Sequence, residues 1–251
     1  YSNNKVRIVH TYFDQDMKWS KNGIDQIKQM GSTELLTVFP ETSLGLGIDI
    51  KKNWLAGYIR KENKNFYNSI SLNGNVYDKK ILVPFGEFFP FSKYLVHFMP
   101  EHQFLQNTLT KGSKNQDFTK KILPLICYEA IFPSFVRKNV DHETELLVNI
   151  SNDGWFGKFS GPKQHFVHSR YRSIELGLPM IRSSNKGISG IVGPLGEIIN
   201  STDTRKNTNL DVKIPYKLNT TIYKKYGNLL TYFLIVLFFI IGYANRNKSG
   251  N

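Results

Sequence analysis

The stretch ILPLICYEAIF (residues 122–132) poses the question on which the reading of the chain turns. An uncharged apolar run from Ile122 to Ile126 gives way at once to Cys127, Tyr128 and Glu129. A run of that length reads as a buried strand, with Cys127 at its carboxyl end. Cys127 is the chain's only cysteine. It can form no internal disulfide and cannot by itself build a thiolate metal site, which leaves a small core filler or a nucleophile.

Two other apolar runs stop the same way. ELLTVFPE (34–41) ends at Pro40 and Glu41, and ELLVNISND (145–153) ends at Asp153. KVRIVHTYF (5–13), WLAGYIR (54–60), FYNSISL (66–72), PMIRSS (179–184) and GISGIVGP (187–194) also read as strands, and an Asn73-Gly74 turn follows the third. ILVPF (81–85), preceded by Lys79, is strand-like. Residues 17–31 predict an amphipathic helix with Trp19, Ile24, Ile27 and Met30 inward and Gly31 as its cap. Residues 161–177 predict a second, with Phe166, Val167, Tyr171 and Ile174 as the apolar side, Pro162 at the start and Gly177 at the end. Continuous apolar strands alternating with amphipathic helices imply an α/β layered fold whose strands are buried on both faces. The polar stretch 200–213 begins like a loop.

Ligands and reactions collect beyond the carboxyl ends of strands in such sheets. Glu41, Lys79, Cys127 and Asp153 are therefore the candidates for chemistry. A carboxylate can take a thiol proton, and a lysine ammonium can favour the thiolate and then hold the oxyanion of an attacked acyl group. Cysteine, glutamate and lysine together suffice for acyl transfer through a thioester. Taken singly, each has a plainer reading: a core thiol, a solvated Lys79-Lys80 pair, a strand-end glutamate. His165 and His168 stand three residues apart on the second helix without a third ligand nearby, so no metal is expected. Phosphate-binding glycine patterns are absent, and Ser43, Ser151 and Ser183 lack a GxSxG setting.

The 251 residues carry 33 Lys and Arg against 20 Asp and Glu, a net charge of +13. An excess of that size suits nucleic acid, anionic lipid or an acidic substrate. The basic residues are scattered and no nucleic-acid motif accompanies them, so nucleic acid is not an expected partner. NLLTYFLIVLFFIIGYA (228–244) is uncharged and apolar all round, with Tyr223, Tyr226 and Tyr243 placed for two interfaces and Lys224, Lys225, Arg246 and Lys248 outside them. At ~1.5 Å per residue it reaches ~25 Å against a hydrocarbon core of ~30 Å. It predicts a membrane helix slightly short of a full span. The chain begins at Tyr1 rather than methionine, as a segment of a longer or processed protein would.

FPE (39–41), KKILVPFGEFFPF (79–91), ICYE (126–129) and SNDGWFGKFSGPKQHF (151–166) together resemble the carbon-nitrogen hydrolase (nitrilase) superfamily. LVPFGEFFPF, NDGWFG with the following GPxQH, the SSNKGISGIVGPLGE run and the terminal apolar helix resemble, more narrowly, its membrane-bound branch that acylates apolipoproteins. The resemblance implies a nitrilase-like α-β-β-α sandwich over residues 1–222, followed by a transmembrane helix and polar tail over 223–251. It implies Glu41 as general base, Lys79 as catalytic lysine and Cys127 as nucleophile. Glu87 and Glu129 are implied as orienting carboxylates, the Tyr128 N–H as a further oxyanion donor, and Trp155 as an aromatic by the acyl pocket. The implied reaction is ping-pong. An acyl chain passes from a phospholipid to Cys127, then to the N-terminal amine of a diacylated apolipoprotein, with no cofactor. The implied setting is the inner membrane of a Gram-negative bacterium, with the catalytic domain periplasmic and FFPFSKYLVHFMP (88–100) as an apolar lid. Two alternatives remain: a membrane-anchored amidase with water as acceptor, and a basic lipid-binding module in which Cys127 is structural.

Overall fold

The computed structural model describes residues 5–45, 49–90, 108–113, 118–157 and 159–248. The expected lid segment lies outside the described residues from position 91 onward. Two mixed sheets carry the fold. The first has the order β11-β1-β2-β3-β4-β5, built from β1 (Lys5–His10), β2 (Leu36–Val38), β3 (Trp54–Glu62), β4 (Asn65–Leu72), β5 (Asn75–Asp78) and β11 (Thr208–Lys213). The second has the order β10-β9-β8-β7-β6, built from β6 (Ile122–Ile126), β7 (Leu146–Asn152), β8 (Met180–Asn185), β9 (Ser189–Val192) and β10 (Ile198–Thr202). β1, β2 and β3 are parallel to one another, as are β6, β7 and β8. Pro124 sits within β6 without harm because β6 is an edge strand, where a missing ladder donor costs least.

The burial pattern shows why the sheets stack. Val6, Ile8, Val38, Leu55 and Ile70 of the first sheet meet Ile126, Val148, Ile150, Ile181 and Ile191 of the second in one apolar layer. Alternate residues point the other way, as the two-residue period of a strand requires. Val9, Phe39, Trp54 and Ala56 pack against Ile27 of helix α2 (Lys21–Met30). Leu123, Leu125, Leu147 and Met180 pack against Val136 of α3 (Pro133–Asn139) and Phe166 and Leu176 of α4 (Gly161–Leu176). The result is the helix–sheet–sheet–helix sandwich that the resemblance implied.

Four local expectations are corrected. The helix expected over 17–31 is two helices, α1 (Gln15–Lys18) and α2, because the Ser20 hydroxyl accepts from Gly23 N and starts a new helix there. Trp19 is consequently exposed, and Lys18 is the buried residue. The α4 helix starts and ends at the expected Pro162 and Gly177 (φ +63°) but is rotated from the expected face. Val167, Tyr171 and Ile174 are exposed, whereas His165, Ser169, Arg172 and Ser173 are buried with Phe166. ILVPF forms no strand; it is a loop closed by an isolated bridge from Pro84 to Phe88. The stretch 200–213 does not begin as a loop, since its first residues end β10, and it goes on to form β11, which pairs antiparallel with β1 from Lys5↔Lys213 to His10↔Thr208.

The chain closes with α5 (Ile222–Tyr226) and α6 (Leu229–Lys248). Arg137 donates to the carbonyls of Tyr223, Lys224 and Lys225, capping the end of α5 from the globular body. Every large apolar side chain from Leu229 to Tyr243 is exposed. Among the described residues no helix is long and apolar enough to cross a membrane. The expected membrane helix over 228–244, slightly short of a full span at about 25 Å, is therefore not established by the fold.

The rotation of α4 has a direct consequence for stability. Phe166→Ala should cost about 3–5 kcal/mol, as truncation of a buried aromatic does. Val167→Ser, on the exposed face, should cost less than about 1 kcal/mol. Urea unfolding of the two variants checks the order; the reverse order would return α4 to the expected rotation.

Candidate active site

β2, β5 and β6 deliver their following residues to one end of the sandwich. Glu41 lies just beyond β2, Lys79 beyond β5 and Cys127 beyond β6, and all three are buried. Gly57 in β3 makes the approach of Glu41 possible, because a Cβ there would fall 2.9 Å from the Glu41 Cα and 2.7 Å from the Thr42 nitrogen.

Lys79 is the hub. Its Nζ lies 2.7 Å from Glu87 Oε1 and 3.4 Å from Glu41 Oε1. Burial works against its charge, but Glu41, the Cys127 sulfur and Glu87 outweigh burial and hold the ammonium well above the usual lysine range. Glu41 is fixed at both oxygens. Oε1 accepts from Asn68 Nδ2 at 2.7 Å, and Oε2 accepts from the Asn152 backbone N–H at 2.8 Å. Asn68 also donates to Glu87 Oε1 at 3.2 Å, so one amide and one ammonium keep the two carboxylates in register. Glu87 is presented by a tight turn in which its Oε2 accepts from Val83 N at 2.9 Å and its own N–H donates to Val83 O.

Cys127 opens a 3₁₀ turn, Cys127–Ile131, with a left-handed φ of +48°. For a residue other than glycine such a conformation costs on the order of 1–3 kcal/mol and needs support from its surroundings. Glu129 supplies much of that support. Its carboxylate accepts from the N–H groups of Ile126, Lys80 and Ile81 and from the Tyr77 hydroxyl. One buried side chain thus ties the cysteine turn to the segment carrying Lys79. Burial raises the Glu129 carboxyl to about 6, against the pull of those donors.

The Cys127 thiol is pushed up to about 12, first by burial and next by the Glu41 charge, with Lys79 and the Ser151 hydroxyl acting the other way. At rest the sulfur is therefore protonated. Glu41 is the carboxylate whose charge the thiol feels most.

Behind the cysteine lies a network that the sequence reading missed apart from Asp153. His165 Nε2 is 3.1 Å from the Cys127 carbonyl, and Nδ1 is 2.9 Å from Asp153 Oδ1. Arg182 from β8 donates to Asp153 at 2.8 and 3.0 Å, and also to Asn149. Asp153 pays a burial penalty that Arg182 and His165 overcome, so its carboxyl sits far below the usual range. His165 is lowered by burial and by Arg182. His168 is exposed, so the two histidines do not converge. Asp153 thus braces the cysteine turn from behind. An arginine inside the otherwise uncharged strand MIRSSN was the available sign of a buried partner for it.

The remaining expected residues are less buried. Tyr128 is half-buried, its ring edge-on to Phe132 at 4.9 Å. Trp155 is 77% exposed, alongside exposed Phe85, Phe156 and Phe159.

Glu129 gives a pH signature. Its folded-state value of about 6 lies above the ordinary 4.5, so the folded chain holds this proton more tightly than the unfolded chain. Its contribution to stability is fully present below about 4.5 and is lost as the pH rises through about 6. The unfolding free energy of the native chain minus that of Glu129→Gln should fall by about 2 kcal/mol between pH 4.5 and 7. A difference that is flat or rises with pH contradicts the assignment.

The comparisons bear on the family and the fold. The carbon-nitrogen hydrolase family model matches residues 51–221. An apolipoprotein N-acyltransferase of Rickettsia bellii is 34% identical over 98% of this chain and 56% of its own length. That of Rickettsia prowazekii is 43% identical over 66% of this chain and 34% of its own. The chain spans little more than half, or less, of the length of these relatives. Among solved structures, a carbon-nitrogen hydrolase from Helicobacter pylori superposes with a TM-score of 0.56 at 15% identity, over 83% of this chain and 87% of that one. An amidase from Nesterenkonia sp. AN1, with acrylamide added at its active site cysteine, superposes with a TM-score of 0.54 at 14% identity, over 85% and 94%. At those identities the superpositions speak for the fold, while the sequence match over most of the chain settles its kinship: the chain belongs to the carbon-nitrogen hydrolase family.

Proposed function

We propose that this chain is the catalytic part of an apolipoprotein N-acyltransferase. The observation that carries the reading is the buried Lys79 ammonium between Glu41 and Glu87, together with a buried cysteine on a left-handed turn. The relatives that bear the enzyme's name extend over nearly the whole chain and favour this member of the family over an amidase.

Glu41 takes the thiol proton as Cys127 Sγ attacks the ester carbonyl of a phospholipid acyl chain. A carbon–sulfur bond forms, and Lys79, with the Tyr128 N–H, takes up the oxyanion charge. The carbon–oxygen bond breaks, the lysophospholipid alcohol leaves with the proton from Glu41, and a thioester remains. The N-terminal amine of a diacylated apolipoprotein then attacks the thioester. The amide bond forms, the carbon–sulfur bond breaks, and Glu41 moves the amine's proton to the departing sulfur. Glu87 and Glu129 keep the lysine and the cysteine turn in place throughout. No step calls for a metal or a cofactor.

Lipid access is consistent with the exposed apolar side chains of Phe85, Trp155, Phe156 and Phe159, on the two segments that follow Lys79 and Asp153. Helix α6, apolar on every side and outside the core, is assigned to lipid, with residues 223–251 as an anchor distinct from a catalytic domain over 1–222. Its shortfall from a full span is of the size that local bilayer thinning accommodates. Tyr226 and Tyr243 fit the interfaces, and Lys224 and Lys225 fit anionic headgroups. The assigned setting is the inner membrane of a Gram-negative bacterium, with the catalytic domain on the periplasmic side.

The test is incubation with a phospholipid labelled in its acyl chain, in detergent, followed by hydroxylamine. A hydroxylamine-sensitive acyl adduct is expected on the protein and none on Cys127→Ala. Glu41→Gln and Lys79→Ala should each slow its formation by about a hundredfold or more. An adduct surviving in Cys127→Ala refutes the assignment of the nucleophile. Release of labelled fatty acid to water, with no transfer to a diacylated peptide, favours the amidase-type hydrolase.

A further inference from the structure

Lys18 is the last residue of the one-turn helix α1 and is fully buried. Burying an ammonium is unfavourable unless it is well hydrogen-bonded and matched by charge. Its Nζ donates to the Glu41 backbone carbonyl at 2.6 Å and to Thr42 Oγ1 at 2.8 Å. The neighbouring Trp19 indole N–H donates to the Thr42 carbonyl at 3.4 Å. Thr42 has a left-handed φ of +46°, an unfavourable state for a β-branched residue. The turn that aims Glu41 is therefore strained and is gripped from below by α1.

Charge completes the case. Glu41, Glu87 and Lys79 leave one net negative charge beside the thiol. The Arg182 guanidinium is matched by Asp153, so it does not answer that charge. Lys18 does, since its ammonium is bonded to the Glu41–Thr42 turn and is close enough to Glu41 and Cys127 for their charges to act on it. We propose that Lys18 is a positioning residue of the catalytic centre: it holds the Glu41–Thr42 turn in place, and its charge offsets the one that sulfur acquires when Cys127 loses its proton. Burial lowers the ammonium to about 8, with Glu41 and Cys127 opposing, so it remains charged at neutral pH.

The inference rests on Glu41 and Cys127 acting as base and nucleophile, and it is independent of the acyl donor. It is tested by the rate of Cys127 alkylation with iodoacetamide against pH, read by intact mass on the full chain. The groups facing the thiol are Glu41, Lys79 and Asp153, with Lys18 across Glu41. Lys18→Met removes the charge at similar volume. Its rate at neutral pH should fall about tenfold, and the gap from the native chain should close as the pH rises through about 8, where the Lys18 ammonium itself loses its charge. Thr42→Ala keeps the charge and removes one acceptor. Its rate should fall by a factor that stays the same on either side of about pH 8, and the contrast between the two variants is a pattern that simple destabilisation does not produce. This variant also decides the matter if Lys18→Met does not fold. Profiles for the folded variants that superpose on the native one overturn the proposal. A Lys18-dependent profile in a chain that forms no phospholipid adduct would leave Lys18 standing and defeat the acyltransferase reading instead.

Discussion

One buried ammonium organises the site. Lys79 at the end of β5 is almost wholly removed from water and stays charged because two carboxylates converge on it. Removing a cation from water costs several kcal/mol, and only closely placed, well-bonded anions offset that. The constraint explains much of the surrounding architecture. Glu41 must be held at both oxygens, Glu87 must be delivered by a tight turn, and Asn68 must stand between them. The pairing of the two sheets brings β2, β5 and β6 to one end so that these groups meet.

The same end of the sandwich carries a second buried layer of polar groups. Glu129 gathers three backbone N–H groups around the cysteine turn, while Asp153, His165, Arg182 and Asn149 brace it from behind. A left-handed cysteine persists only where neighbours fix it. This is why α4 turns His165, Ser169 and Arg172 inward: the helix packs on a polar centre as well as on an apolar sheet.

The sequence revealed the strand ends well and the side-chain partners poorly. Apolar runs that stop at Glu41, Cys127 and Asp153 are visible because burial on both faces leaves few polar residues inside a strand. Asn68 was hidden because β4 mixes polar and apolar residues along its length, so one asparagine among Asn and Ser carries no signal of its own. Lys18 was hidden because apolar periodicity placed Trp19 inside and assumed one continuous helix. The Ser20 cap breaks that helix and turns the lysine inward instead. The face of α4 was misjudged for a related reason, since periodicity finds apolar stripes and a helix packed on a buried ion network has its important side elsewhere.

The central claim is that Lys79 receives the charge that develops on an acyl oxygen when Cys127 attacks. A crystal structure of the acyl-thioester, trapped with a phospholipid analogue under conditions that slow transfer, tests it most directly. The account predicts the thioester oxygen within hydrogen-bond distance of Lys79 Nζ, with Glu41 still held by Asn68 and the Asn152 N–H. An acyl oxygen turned away from Lys79, with the lysine still bound to both carboxylates, would contradict it.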